Sequence, residues 1–281
     1  MALTSLTFQC THDAAEAKTW FARLIDDEPV LMSVIASVAD SVIADPGRYE
    51  EPRWWAGRDA SGRVIAGFMR TPPWPLHVAV ATPRQAVAFA EHLARQGSSL
   101  PGVGGRREPA EAFRDAWVRL SPVSAHTVME VGVFGLPQRP RLPFDVPGSY
   151  RHALPEELGL ADQWARDFAD AAHGAAGRAD SLRGHVEARR VGFWVHGGQP
   201  VSMAYASPNN GGVTRISGVW TPPGQRGNGY ASAVVAALSN EHMEAGERCM
   251  LNTDLANPTS NKIYQALGYR RVGDNITIEF S

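Results

Sequence analysis

The sequence predicts an α/β protein built as two successive domains, and three observations carry that expectation. Helix-period and strand-period segments alternate in the same order twice along 281 residues. A proline-rich stretch, LPQRPRLPFDVPGSY, separates the two runs. In the second run a strand passes into a helix through TPPGQRGNGYAS, residues 221–232, where two prolines stop the strand and glycines surround an arginine.

The first run opens on DAAEAKTWFARLI, which places Ala17, Trp20, Phe21 and Leu24 on one helical face. A second amphipathic helix follows in DEPVLMSVIASVADSVI, with Pro29 in its first turn. WWAGRDASGRVIAGFM reads as a hairpin turning at Asp59 to Gly62, and PLHVAVAT as a further strand. Thr82 before Pro83 is a helix start for RQAVAFAEHLARQG. A loop containing GVGGRR, the helix EPAEAFRDAWVRL and the strand HTVMEVGVFGL complete the run.

After the proline-rich stretch the order returns. A short strand YRHAL leads to the helix PEELGLADQWARDFADAAHG and a second helix in SLRGHVEARR. Next come a hairpin turning at HGGQP, the strand GGVTRISGVWT, and the helix RGNGYASAVVAALSNEHMEAG. CMLNTDL is a strand, NPTSNKIYQALGY a helix, and VGDNITIEF a final strand. Residue-level similarity does not accompany the repeated order. The expected domains are 1–138 and 148–281, joined by a stiff linker, 139–147.

Composition excludes several function classes. A formal net charge of −2 argues against wrapping nucleic acid, which needs a basic stripe to replace counterions, and leaves room for a local basic pocket. Cys10 and Cys249 are too few for a disulfide framework and too far apart for a zinc knuckle, which favours a reducing compartment and no metal. The N-terminus lacks the apolar run of a secretory signal, and no stretch reaches the about 18 apolar residues of a spanning helix. The expectation is therefore a cytoplasmic protein with no membrane partner. Abundant alanine, glycine and arginine fit a GC-rich bacterial genome.

The bend at 221–232 has the makings of an anion site. Amides at a helix start lack intrahelical partners, the helix dipole adds positive potential, and Gly227 and Gly229 let a ligand reach the backbone. A glycine-bearing loop without a ligand has the same composition, so competing motifs matter. A dinucleotide fold would put a third glycine where Ser232 stands, and a P-loop needs Gly-Lys-Ser/Thr, which the chain lacks. Downstream, ANPTSNKIYQALGYR supplies a well-bounded helix: Asn257 as N-cap, Pro258 in the first turn, Gly268 at the end. Asn257, Asn261 and Tyr264 fall at i, i+4 and i+7 on one face.

Together RGNGYA and NPTSNKIYQALGYR resemble the two motifs of the GNAT superfamily of acyl-CoA-dependent N-acetyltransferases. Arg226, Gly229 and Ala231 occupy the defined places of its Q/R-x-x-G-x-G/A motif. The resemblance covers about residues 148–281 and implies two GNAT-like domains, each a mixed, mostly antiparallel sheet flanked by helices. It implies acetyl-CoA as co-substrate, its pantetheine arm pairing with the backbone of Val219, Trp220 and Thr221. Arg226, Gly227, Asn228, Gly229, Tyr230, Ala231 and Ser232 would hold the pyrophosphate, mainly through main-chain amides, with Asn257 and Asn261 near the pantetheine. Tyr264 matches the family's general acid, which protonates the departing sulfur. The strand ISGVWT carries no glutamate beside the thioester, so the base is left among Asp254, His185, Glu187, His196 and a water chain, with Asp254 also a candidate for amine binding.

The corresponding junction of the first half, HVAVATPRQAVAFAEHL, has no glycine, and no asparagine-to-tyrosine helix follows. The resemblance therefore implies a degenerate first half that shapes the acceptor cleft. Trp54, Trp55 and Trp74 could line that cleft, though all three suit packing in a core. The acceptor implied is the primary amine of a small molecule, met directly in a ternary complex by a monomer or homodimer. A protein or peptide acceptor, or a non-catalytic acyl-CoA sensor, are the alternatives.

Overall fold

The computed structural model describes residues 6–173 and 180–281, which fall into two compact units. The first unit runs to Val133 and takes in Asp254–Ala256 and Gly273–Ser281; the second holds Phe134–Thr253 and Asn257–Val272.

In the first unit, strand β1 (Thr7–Thr11) precedes helices α1 (Ala14–Asp27) and α2 (Pro29–Ala44). Then come β2 (Arg53–Arg58), β3 (Val64–Arg70), β4 (Leu76–Val80), α3 (Pro83–Arg95), β5 (Gly102–Arg106), α4 (Arg107–Leu120) and β6 (Ala125–Gly135). The strand order is β1-β2-β3-β4-β5-β12-β6, where β12 (Arg270–Phe280) is the last strand of the chain. All of β1 to β5 pair antiparallel except β4 with β5, which run parallel through the crossover helix α3.

Two of these strands depart from the sequence reading. β1 lacks a clear apolar alternation, with only Thr11 buried, and forms by pairing along β2. The segment GVGGR, read as a loop, is β5. It is a strand because it has almost no side chains: a Cβ on Gly102 would overlap the Ile278 carbonyl oxygen, and one on Gly105 the carbonyl oxygen of Val78. β12 pairs with it from Asn275 opposite Arg106 to Glu279 opposite Gly102, and Ile276 and Ile278 enter the core around Phe68, Phe89, Phe113 and Trp117. The chain's last strand, expected in the second domain, thus completes the core of the first unit. Trp55 is buried in this core and Trp54 in a second one with Phe21 and Ile35, whereas Trp74 is exposed.

The second unit contains β7 (Ser149–His152), α5 (Leu158–His173), α6 (Arg183–Glu187), β8 (Val191–His196), β9 (Gln199–Ala206), β10 (Val213–Trp220), α7 (Tyr230–Glu244), β11 (Arg248–Asp254) and α8 (Pro258–Ala266). The expected end of α5 at Gly174 lies outside the described residues. The strands run β11-β10-β9-β8-β7, antiparallel except for β10 with β11. One face is packed by α5 and α6 around Trp164, Phe193 and Met203, the other by α7 and α8 around Val234, Leu238 and Tyr269.

The proline-rich stretch is not free of the second unit. Arg139 pairs with Glu244 at 3.0 Å, Pro140 O accepts from Asn240 Nδ2 at 3.5 Å, and Pro147 O accepts from Trp194 Nε1 at 3.0 Å. Leu142 and Val146 pack on the α7 core. The stretch therefore lies back along α7, from its last turn towards its first.

Candidate functional site

The site is built where β10 leaves β11. The two strands pair only at Val213, Thr214 and Arg215, opposite Arg248, Cys249 and Met250, although β10 continues to Trp220 and β11 to Asp254. Ile216 to Trp220 therefore present an edge that has no strand partner on that side among the described residues, a row of backbone donors and acceptors open to an extended ligand. On its other side β10 pairs with β9, with an extra residue between Ser217, opposite Tyr205, and Trp220, opposite Met203. Such a bulge bends the strand. Gly218 makes the bulge possible, since its φ is 56° and a Cβ there would overlap the Tyr205 ring. Ser202 Oγ donates to Trp220 O at 3.1 Å and meets Thr221 Oγ1 at 2.8 Å, fixing the strand's end.

Pro222 and Pro223 then stop the strand, and a 3-10 turn, Pro223–Gln225, leads into the glycine bend. Gly227 has φ 84° and Gly229, the N-cap of α7, φ 78°. No side chain caps this helix, and among the described residues no acceptor meets the amides of Gly227 to Ser232. Asn228 Nδ2 closes the bend by donating to Gln225 O at 3.1 Å. Arg226 turns back: its Nε donates to Thr221 O at 3.0 Å and its guanidinium lies over the Trp220 ring, 5.1 Å from the centroid. Its charge shapes the turn as well as adding positive potential. Tyr230 and Ser232 have buried side chains, so they offer the bend only their main chain.

On α8 the Asn257 side chain accepts from Ser260 N at 3.1 Å, which makes it the N-cap. Tyr264 is 8% exposed and shares one apolar cluster with Tyr230 and, at its margin, Val219. The open strand edge, the start of α7 and the tyrosine helix thus border the same apolar cluster. Burial pushes the Tyr264 phenol up to about 12, so it carries its proton at neutral pH and is able to donate it.

The base candidates separate by position. Asp254 is exposed at the end of β11 and accepts from Ala256 N at 2.8 Å. Glu187 is exposed, and His196 lies in the exposed β8–β9 hairpin with its ring 5.8 Å from Tyr230. His185 on α6 is half-buried, edge-on to the Tyr205 ring at 5.3 Å, and Tyr205 is the ring that abuts the Gly218 bulge. Burial first, then Arg190 and Arg215, hold its pKa below 6.5, so the imidazole is neutral at pH 7. Among the described residues no cluster of three or more His, Cys, Asp or Glu could hold a metal, and no helix is long and apolar enough to cross a membrane.

Comparison with known proteins bears on this same segment. The family model described as "Acetyltransferase (GNAT) family" matches residues 156–269, which contain the open edge, the bend and the tyrosine helix. Residues 156–269 are thus similar to the GNAT acetyltransferases. Among solved structures, an acetyltransferase from the GNAT family of Colwellia psychrerythraea is similar at 11% identity and TM-score 0.61, covering 98% of this chain and all of that one. A GCN5-related N-acetyltransferase from Sphaerobacter thermophilus gives 16% identity and TM-score 0.62, covering 97% and 95%. A Drosophila protein gives 13% and 0.65, covering 98% of each chain. At such identities these likenesses establish the fold alone, and they extend the GNAT fold over nearly the whole chain. No curated protein matches in sequence.

Proposed function

We propose that the protein is an N-acetyltransferase that moves an acetyl group from acetyl-CoA to the primary amine of a small molecule, by direct attack in a ternary complex. The observation that carries this reading is the parting of β10 from β11 after Arg215, leading into a bend whose amides meet no acceptor among the described residues. An extended amide chain fits the open edge at Val219, Trp220 and Thr221, and a diphosphate fits the amides of Gly227 to Ser232. No metal enters the proposal.

The reaction needs a held carbonyl, removal of a proton from the amine and a donor to the leaving sulfur. Backbone N–H groups at the Gly218 bulge polarise the thioester carbonyl. The amine nitrogen forms the new C–N bond, its surplus proton passes to the neutral imidazole of His185, and the C–S bond breaks. The departing sulfur takes the Tyr264 proton. Asp254, at the end of the neighbouring strand, is left to amine binding. The first half is assigned as a GNAT-like half without a coenzyme site, and catalysis to the chain after residue 148.

The test is a calorimetric titration with acetyl-CoA, followed by thiol release with a panel of amines and peptides. Heat on titration and turnover on small amines support the reading. No heat overturns it, binding without turnover makes the protein a sensor, and turnover on peptides alone makes it a peptide acetyltransferase.

A further inference from the structure

Phe144 is out of place for an ordinary linker residue. Leu142 and Val146, on either side of it, pack on the α7 core, while Phe144 remains 51% exposed. Its ring nevertheless has a fixed position. It lies against Gly229, so that a Cβ on that glycine would overlap the ring edge and come within 3.1 Å of Val146 Cγ2. Pro143 and Pro147 restrict the backbone around it, and the bonds from Asn240 to Pro140 O and from Trp194 to Pro147 O tie the segment down on both sides. A flat aromatic ring is thereby held beside the open amides at the start of α7, with about half its surface towards solvent.

We propose that Phe144 is the platform on which the adenine ring of coenzyme A stacks. The inference rests on the acyl-CoA reading of the same site. In that molecule the diphosphate joins pantetheine to adenosine. With the diphosphate on the bend and the pantetheine directed along the open edge of β10, the adenosine must leave the bend on the side away from that edge. A purine presents an apolar face of the size of a phenyl ring, and stacking on a ring already fixed costs little conformational entropy. It also covers the exposed part of Phe144, which Leu142 and Val146 do not need for anchoring.

Calorimetry on the full chain, with acetyl-CoA and with S-acetyl-4′-phosphopantetheine, which lacks the adenosine and its 3′-phosphate and keeps one phosphate of the diphosphate, separates the possibilities. Phe144→Ala should weaken acetyl-CoA about tenfold, the order expected for loss of one base-aromatic stack, and leave the truncated ligand unchanged. Phe144→Trp should restore acetyl-CoA affinity, which also controls for folding. Equal losses for both ligands would show that the ring only props the bend. Unchanged or tighter acetyl-CoA binding by Phe144→Ala would show that the ring is idle or obstructive. Either result overturns the proposal. If the wild-type chain binds neither ligand, the acyl-CoA reading fails first, before any variant is compared.

Discussion

β4 with β5 and β10 with β11 are the same device built twice, and the two copies differ in how far the first strand runs on unpaired and in how the next helix starts. Each is a parallel pair joined by a crossover helix, and in each the first strand carries a bulge against its antiparallel neighbour, near Ala79 in β4 and at Gly218 in β10. In the first unit β4 stays paired through Val78 opposite Gly105, and Gly105 sits so close that the Val78 carbonyl fills its missing side chain. Glycine there closes the sheet. In the second unit the pairing stops at Arg215, and glycine opens the bend beyond it. The helix starts differ in the same sense: Thr82 Oγ1 accepts from Gln85 N at 3.3 Å and Gln85 Oε1 from Thr82 N at 2.7 Å, whereas Gly229 caps nothing with a side chain. Bulge and crossover are therefore properties of the fold, and the proposed coenzyme site rests on what the second copy adds, an early strand parting followed by an uncapped helix.

Breaking the contrast at its strongest point means Gly229→Val. A β-branched residue is strained at φ 78°, and its Cβ would collide with the Phe144 ring. Calorimetry should register no heat with acetyl-CoA, while Thr82→Val should bind as the wild type does. The reverse pattern would exchange the roles of the halves. Tyr264→Phe is next: it keeps the ring in the core but removes the proton donor, so turnover should fall about 10²–10⁴-fold with acetyl-CoA affinity retained. A variant as active as the wild type removes Tyr264 from the chemistry.

His185→Gln should cost about 10²-fold in kcat/KM on an amine substrate. The sign of its pH dependence follows from the neutral form being the base. Activity rises with pH as the imidazolium loses its proton, and burial with Arg190 and Arg215 puts that midpoint below 6.5; Tyr205 is the remaining polar ring against it. The variant should lose this acid limb, and a pH profile unchanged in shape would rule His185 out as base.

How much of this was legible depended on whether the signal was local. The prolines that end β10, the glycine bend, the Asn257 and Thr82 caps and the shared face of Asn257, Asn261 and Tyr264 follow from short-range chemistry. Long-range pairing was not readable. GVGGR is a poor strand by propensity, and it becomes β5 because two neighbours approach where side chains are missing. Nothing in VGDNITIEF says that it will pair with that segment rather than remain in its own half. The prolines of 139–147 fit a stiff linker equally well whether it is free or laid along α7, and only packing of Leu142 and Val146 distinguishes the two. Within the motif, spacing identifies Tyr230, Ser232 and Arg226 but not where their side chains go.

The smallest effect sharpens the comparison from the other side. Thr82→Ala removes the capping box and leaves the first amides of α3 as bare as those of α7, at a stability cost of about 1 kcal/mol, measurable by urea unfolding. If open helix-start amides were sufficient for holding a diphosphate, the variant should gain a second acetyl-CoA site. The strands argue otherwise, because β4 runs only two residues, Ala79 and Val80, past its pairing with β5, whereas β10 runs five past its pairing with β11, so the edge there is short for a pantetheine arm. One site by calorimetry, with unchanged affinity, is the expected result. A second site would mean that uncapped amides alone suffice and that the parting of β10 from β11 is incidental to binding.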